Sequence, residues 1–276
     1  MPWHARLALD YRHDAPRTTA RFRHEGPLRI LQSLYPEGDG ICHNVLVHPP
    51  GGLVGGDRLD IRIGAAPGAH GLVTTPGATR FYRTQGEHAV QDTRIDLQAG
   101  ARLEWLPLEA LCFDGCEAEN HLRFTLAPGA ELIGWDVAAL GLPHAGKPFL
   151  RGSLRQHLEM PGVWLERGRI AACDRLLLDS PLGLAGRRCT ATLFLAAGTP
   201  LPRVARERAL EAARAVIDAH ALRETAGATS PDARIVVVRA LGAVVEPAMQ
   251  LLKEVRAAWR AAHWGLPATA PRIWAM

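Results

Sequence analysis

The sequence predicts a mainly β protein, a β-helix-like stack of short strands with two α-helices near the C-terminus. Three observations carry this. Glycine (27) and proline (20) punctuate short apolar runs over residues 26–200 instead of collecting in a linker, which is the pattern of short strands joined by turns. Strand-turn-strand units recur about every 30 residues, with turn glycines at Gly68, Gly100, Gly129 and Gly162. The final quarter then changes to helical periodicity. A fixed period of that length signals stacked units, each burying a face on its neighbours; a plain meander of hairpins is the alternative.

The units follow in order. Arg58-Leu-Asp-Ile-Arg-Ile63 alternates, turns at Pro67-Gly68-Ala69 and runs on apolar. Arg94-Ile-Asp-Leu97 leads through Gly100-Ala101 into Arg102-Leu-Glu-Trp-Leu106. His121-Leu-Arg-Phe-Thr-Leu126 leads through Pro128-Gly129-Ala130 into Glu131-Leu-Ile-Gly-Trp135, and His157-Leu-Glu-Met160 through Pro161-Gly162 into Val163-Trp-Leu165. Val204, Leu210, Ala213, Ile217 and Ala221 sit at helical spacing over 203–224, after Pro202 and before Gly227. Residues 233–241 read as a buried strand. Met249, Leu252, Val255, Trp259 and Ala262 line a second helix over 247–264, stopped by Gly265 and Pro267. The expected organisation is one domain over 1–276, with a layered β body over 1–200 and the two helices and strand of 201–276 packed on it.

Composition narrows the function classes. The chain has 276 residues, 47% of them apolar and 22% charged, so one sizeable core is feasible. No apolar run approaches the roughly 20 residues of a membrane span, and Met1-Pro2-Trp3-His4-Ala5-Arg6 lacks the apolar stretch of a secretory signal. The expectation is a soluble, cytoplasmic protein. The formal net charge is +4, the lysines are only Lys147 and Lys253, and the arginines are spread along the chain, unlike the one-faced basic patch of a nucleic-acid reader. Five scattered cysteines (Cys42, Cys112, Cys116, Cys173 and Cys189) argue against a disulfide framework and for a reducing compartment.

Several motifs fail on their context. Gly141-Leu-Pro-His-Ala-Gly-Lys147 imitates a phosphate loop, but Pro148 stands where Ser or Thr would bind Mg²⁺ and a strand-like segment follows. Cys112 and Cys116 have no second close pair to complete a structural zinc site. No serine sits in a nucleophile elbow. Cys42, His43 and His48 could hold a borderline divalent ion, although a strand over 42–47 would turn His43 away from the other two. Asp57 closes Gly51-Gly-Leu-Val-Gly-Gly56. Glu104 and Glu109 flank Trp105-Leu-Pro-Leu108, Asp136 follows Ile133-Gly-Trp135, and Glu166 follows Val163-Trp-Leu165. Carboxylates among apolar neighbours need ion pairs, water or a bound cation. Ion pairs with arginines are the plain reading, and an acid-lined polar path is the other.

Four strings are distinctive: His48-Pro-Pro-Gly-Gly-Leu-Val-Gly-Gly-Asp57, Thr74-Thr-Pro-Gly-Ala-Thr-Arg-Phe-Tyr-Arg83, Leu103-Glu-Trp-Leu-Pro107 and Pro271-Arg-Ile-Trp274. From Gly26 to the C-terminus the chain resembles the UreD (UreH) family of urease accessory proteins. The resemblance implies a cytoplasmic nickel-insertion chaperone, not an enzyme, with no tightly bound cofactor. Such a protein joins UreF and the GTPase UreG on apo-urease in a two-fold symmetric complex, and Ni²⁺ transits an internal channel to the urease active site. Carried over from the family's pattern, the channel positions fall on Asp57, Thr79, Asp136 and Glu166, as transient oxygen ligands and fixed charge. Met276, where Thr is more usual, and the segment 146–148 depart from the pattern. The competing reading from another class is a β-helical carbohydrate-active enzyme that uses two of these carboxylates.

Overall fold

The computed structural model describes residues 2–275, so Met276 lies outside the described residues. The strands are β1 (His4–Asp14), β2 (Arg17–Glu25), β3 (Arg29–Leu34), β4 (Cys42–Val47), β5 (Arg58–Ala65), β6 (His70–Thr74), β7 (Thr79–Phe81), β8 (Ala89–Leu97) and β9 (Arg102–Leu106). They continue with β10 (Ala110–Cys112), β11 (Cys116–Leu126), β12 (Glu131–Leu142), β13 (Lys147–Pro148), β14 (Gly152–Met160) and β15 (Trp164–Ala171). Helix α1 (Arg175–Asp179), β16 (Cys189–Ala197), α2 (Arg203–Ala219), β17 (Ala226–Asp232), β18 (Ile235–Gly242) and α3 (Val245–Trp259) complete the chain.

Two sheets face each other in a solenoid-like stack of about four turns. The seven-stranded sheet runs β15-β14-β11-β8-β5-β1-β2 and the eleven-stranded sheet has the spine β17-β18-β16-β12-β9-β6-β4-β3. The chain crosses from the first sheet to the second at β5→β6, β8→β9 and β11→β12. Each crossing is a tight turn in which Ala69, Ala101 or Ala130 donates its N–H to the carbonyl three residues back. Gly68, Gly100 and Gly129 take φ of 72°, 67° and 75° at the third position, the left-handed angle that a type II turn gives to glycine. β7 and β10 pair in parallel beside β12 and form a short third side.

The fourth repeat differs from the sequence reading. Gly162 makes the same turn (φ 71°), yet β15 returns antiparallel to β14 within the same sheet and ends the stack. The predicted strand at 233–241 is β18, hydrogen-bonded into the eleven-stranded sheet between β16 and β17. Helix α2 stops at Ala219, and Gly227, expected just past its end, lies in β17. Its buried face is Ala209, Ala213 and Ile217, while Val204 in the first turn stays exposed. The β1–β2 hairpin and α1 were not anticipated.

Two cores result. One fills the space between the sheets with Leu7, Ile61, Ile95, Phe124, Leu132 and Phe194 among others. The other lies between the eleven-stranded sheet and the helices, and takes in Met249, Leu252, Val255 and Trp259 of α3 as predicted. Helix α3 passes at Arg260 into a π-helical turn that Gly265 closes in a left-handed conformation. Among the described residues, no helix is long and apolar enough to cross a membrane.

Candidate functional site

A seam of polar side chains crosses the largely apolar space between the sheets. On the seven-stranded sheet, Gln91 (β8), Asn120 (β11) and Gln156 (β14) are register partners on neighbouring parallel strands. Each stands at an inward position between apolar residues, as Asn120 does between Ala118 and Leu122. On the opposing sheet, Asp136 (β12), Thr192 (β16) and Arg239 (β18) form a second in-register row. Apolar residues before and after them face the same core, such as Phe194 and Val237. Two polar rows therefore confront each other across the space between the sheets.

Asp136 is the centre of this seam. Its Oδ1 accepts a hydrogen bond from Asn120 Nδ2 at 2.5 Å, and its Oδ2 accepts one from the Gln156 amide. Gln91 Nε2 donates to Asn120 Oδ1 at 3.4 Å, which orients that amide toward Asp136. Burial pushes the Asp136 carboxyl up, the two amides pull it down and the nearby Glu166 charge pushes it up again, leaving it at about 6. Neutral donors can orient a carboxylate without neutralising it. The charge of Asp136 therefore stays available to a cation.

Asp136, Thr79, Thr93 and Asn120 line a chamber of about 20 Å³. A water needs roughly 10–15 Å³ of such space, so the chamber has room for one water-sized species. It shares Thr79, Gln91, Trp105 and Pro107 with a cleft of about 220 Å³ bordered by His48, Thr75 and Arg80. The cleft and the chamber are therefore neighbours, with Thr79 and Gln91 lining both. On the far side Thr192 donates its hydroxyl to Glu166 Oε1 at 3.3 Å, and Glu166 is ion-paired with Arg239.

Of the four expected positions, Thr79 and Asp136 share the chamber, and Glu166 lies outside it but close enough for its charge to act on Asp136. Asp57 does not join them. Buried at the end of its glycine loop, it accepts the N–H groups of Trp3 and Val54, both at 2.9 Å. Its charge reaches the cleft only through His48: burial lowers the His48 pKa and the Asp57 charge raises it, with a net lowering. The cysteine–histidine group separates as strand geometry demands. Cys42 is in the inter-sheet core, donating to Asn44 Oδ1, whereas His43 pairs with Glu37 at 2.9 Å on the opposite face. Among the described residues, no group of three or more His, Cys, Asp and Glu side chains is arranged as a metal site.

Glu104, read as another awkward acid, has a different fate. It is fully buried on the helix side of β9, where Arg256 Nε donates to it at 2.6 Å and Arg260 donates to its other oxygen. Arg260 also pairs with Glu37. Burial raises the Glu104 carboxyl, but His70, Arg256 and Arg260 outweigh this and hold it at about 2. Three of the distinctive strings converge nearby. Trp274 Nε1 donates to the Thr74 hydroxyl, which donates to Leu106 O, and Trp135 Nε1 donates to Pro107 O.

The amides Gln91, Asn120 and Gln156 were missed by sequence reasoning. Their signal was a polar residue at an inward position of an alternating strand, as in Leu154-x-Gln156-x-Leu158.

The family model described as UreD urease accessory protein matches residues 4–275. This chain belongs to the UreD family. The urease accessory protein UreD of Paracidovorax citrulli is 69% identical over 276 residues, covering all of both chains. That of Variovorax paradoxus is 68% identical over 275 residues, again with full coverage. That of Methylibium petroleiphilum is 50% identical over an alignment of 294 positions, with 99% of each chain covered. Membership gives the chain an accessory role in urease maturation. A chamber of about 20 Å³ at Asp136 cannot admit a sugar ring, which takes that acid away from the carbohydrate-active alternative.

Proposed function

We propose that this UreD protein is a non-enzymatic, cytoplasmic nickel-insertion factor that conducts Ni²⁺ along the inter-sheet seam to apo-urease, in a two-fold symmetric complex with UreF and UreG. The observation that carries the reading is the environment of Asp136, a buried carboxylate held by two neutral amides beside a chamber of ion size. Water, hydroxyl, amide and carboxylate oxygens are weak ligands for a borderline divalent ion, whereas clustered thiolates or imidazoles would retain it. Transit needs the first kind.

On this reading the ion enters at the His48–Arg80 cleft and exchanges part of its hydration shell for protein oxygens, because the chamber has room for only one water-sized species. Thr79 and the amide oxygens offer neutral ligands, Asp136 and Glu166 offer charge, and no step leaves the ion in a closed site. Asp57 contributes by fixing the loop before β5 and by its field at His48.

The test is nickel loading of apo-urease with this chain, UreF and UreG present, comparing wild type with Asp136→Asn. Loading should fall sharply while a pull-down still recovers the whole complex. Undiminished loading by an assembled Asp136→Asn complex would remove Ni²⁺ from the seam.

A further inference from the structure

We propose that Arg239 gates the far end of the seam: its guanidinium occupies the cation position at Glu166 and has to swing away before a divalent ion can pass. The proposal rests on the reading of the seam as a nickel path and adds to it a residue that controls passage.

The geometry is specific. Arg239 Nε (2.8 Å) and Nη2 (2.5 Å) both donate to the same Glu166 oxygen, Oε2. The other oxygen receives the Thr192 hydroxyl. Thr192 and Arg239 continue the row begun by Asp136, so the guanidinium stands in line with the path. It is also where the path meets solvent. The Arg239 and Glu166 side chains are 47% and 26% exposed, whereas Asp136 is buried. Glu166 lies on β15, the edge strand of its sheet.

The chemistry follows from the charges. Arginine cannot lose its proton, so while it pairs with Glu166 that carboxylate is already neutralised, and a divalent ion arriving at Asp136 meets a fixed positive charge. A half-exposed ion pair is weakly held, and the long Arg239 side chain has open solvent on one side to move into. The gate is therefore closed at rest and easily opened. The buried Glu104 cluster could not serve this way, because its guanidinium groups are locked on several sides.

The test is the rate and amount of radioactive Ni²⁺ taken up by the full-length chain at fixed free metal, for Arg239→Gln and Arg239→Lys. Arg239→Gln removes the charge and should raise uptake severalfold, and adding Asp136→Asn should abolish the gain. Arg239→Lys keeps a cation on Glu166 and should behave like wild type. Equal uptake by Arg239→Gln and wild type would overturn the gate, as would equal gains in the Gln and Lys variants, which would show that lost packing matters and not charge. If Asp136→Asn leaves urease loading intact, the path itself fails, an outcome separate from failure of the gate.

Discussion

Glu104 and Asp136 are both buried carboxylates on the eleven-stranded sheet, on β9 and β12, which are paired in parallel. They face opposite sides of it. Glu104 looks toward the helices, where two guanidinium groups hold its carboxyl at about 2. Asp136 looks into the space between the sheets, where two amides leave it at about 6. The same chemical group is a structural latch on one face and an uncommitted charge on the other. Burial is common to both, so it does not mark function; the partner does. A fully paired ion has no capacity left for a ligand, while a carboxylate oriented by neutral donors keeps its charge for one.

The largest effect should come from breaking the latch. Arg260 bridges Glu104 and Glu37 and donates Nε to Pro267 O at 2.9 Å. Arg260→Met leaves two buried acids short of a partner, and removing one member of a buried ion pair costs about 3–5 kcal/mol. Urea unfolding should show that loss. A loss below about 1 kcal/mol, the range of exposed pairs, would mean that the cluster does not hold α3 to the body.

The pH dependence should separate the two acids by sign. The Glu104 carboxyl is depressed from 4.5 to about 2. Its contribution of about 3 kcal/mol is present above pH 4.5 and lost as pH falls toward 2. The Asp136 carboxyl is raised from 3.8 to about 6. The folded state then holds the proton more tightly than the unfolded one, so a stabilisation of about 3 kcal/mol exists below pH 3.8 and disappears as pH rises through 6. In chelator-treated protein, Glu104→Gln should flatten the acid limb and Asp136→Asn the decline between about pH 4 and 6. Identical profiles for both variants would erase the contrast.

A smaller effect of opposite sign is expected for Asp136→Asn at pH 8. There Asp136 is charged, buried and without a cationic partner. An asparagine in its place accepts from Asn120 and donates to a flipped Gln156, so the variant should gain about 1–2 kcal/mol, the usual size of a single stabilising substitution. Thermal unfolding reads this gain, and a destabilised variant would show that the carboxylate is structural.

The legible and illegible parts divide along physical lines. Proline, glycine and a period are local, so the three crossing turns could be read directly. The fourth could not, because the Pro161-Gly162 turn here closes a hairpin instead of a crossing, and only tertiary packing decides which. The alternation Ala5-x-Leu7-x-Leu9-x-Tyr11 marked β1 plainly but lay outside the repeat. Asp136 and Glu166 stood out because a charge in an apolar string is costly wherever it folds. Glutamine and asparagine carry no such mark. Gln91, Asn120 and Gln156 are 29 and 36 residues apart, and only strand register brings them into one row.

That row supplies the smallest and most discriminating effect. Gln91 makes its side-chain hydrogen bond not to Asp136 but to Asn120 Oδ1, donating at 3.4 Å. An asparagine amide has a donor end and an acceptor end, so this weak bond decides which end faces Asp136. In Gln91→Leu the Asn120 amide is free to flip and turn its oxygen on the carboxylate, an arrangement that disfavours the charged form. Losing one neutral hydrogen bond costs roughly 0.5–1.5 kcal/mol, partly offset by the apolar replacement. The midpoint of the Asp136 titration, read by NMR of the side-chain carboxyl carbon, should rise above its wild-type position, and Gln91→Glu, whose carboxylate accepts where the amide donated and adds negative charge, should raise it further. A midpoint unmoved by Gln91→Leu would show that Asn120 is oriented by Asp136 alone, and that the amide row begins at β11 and not at β8.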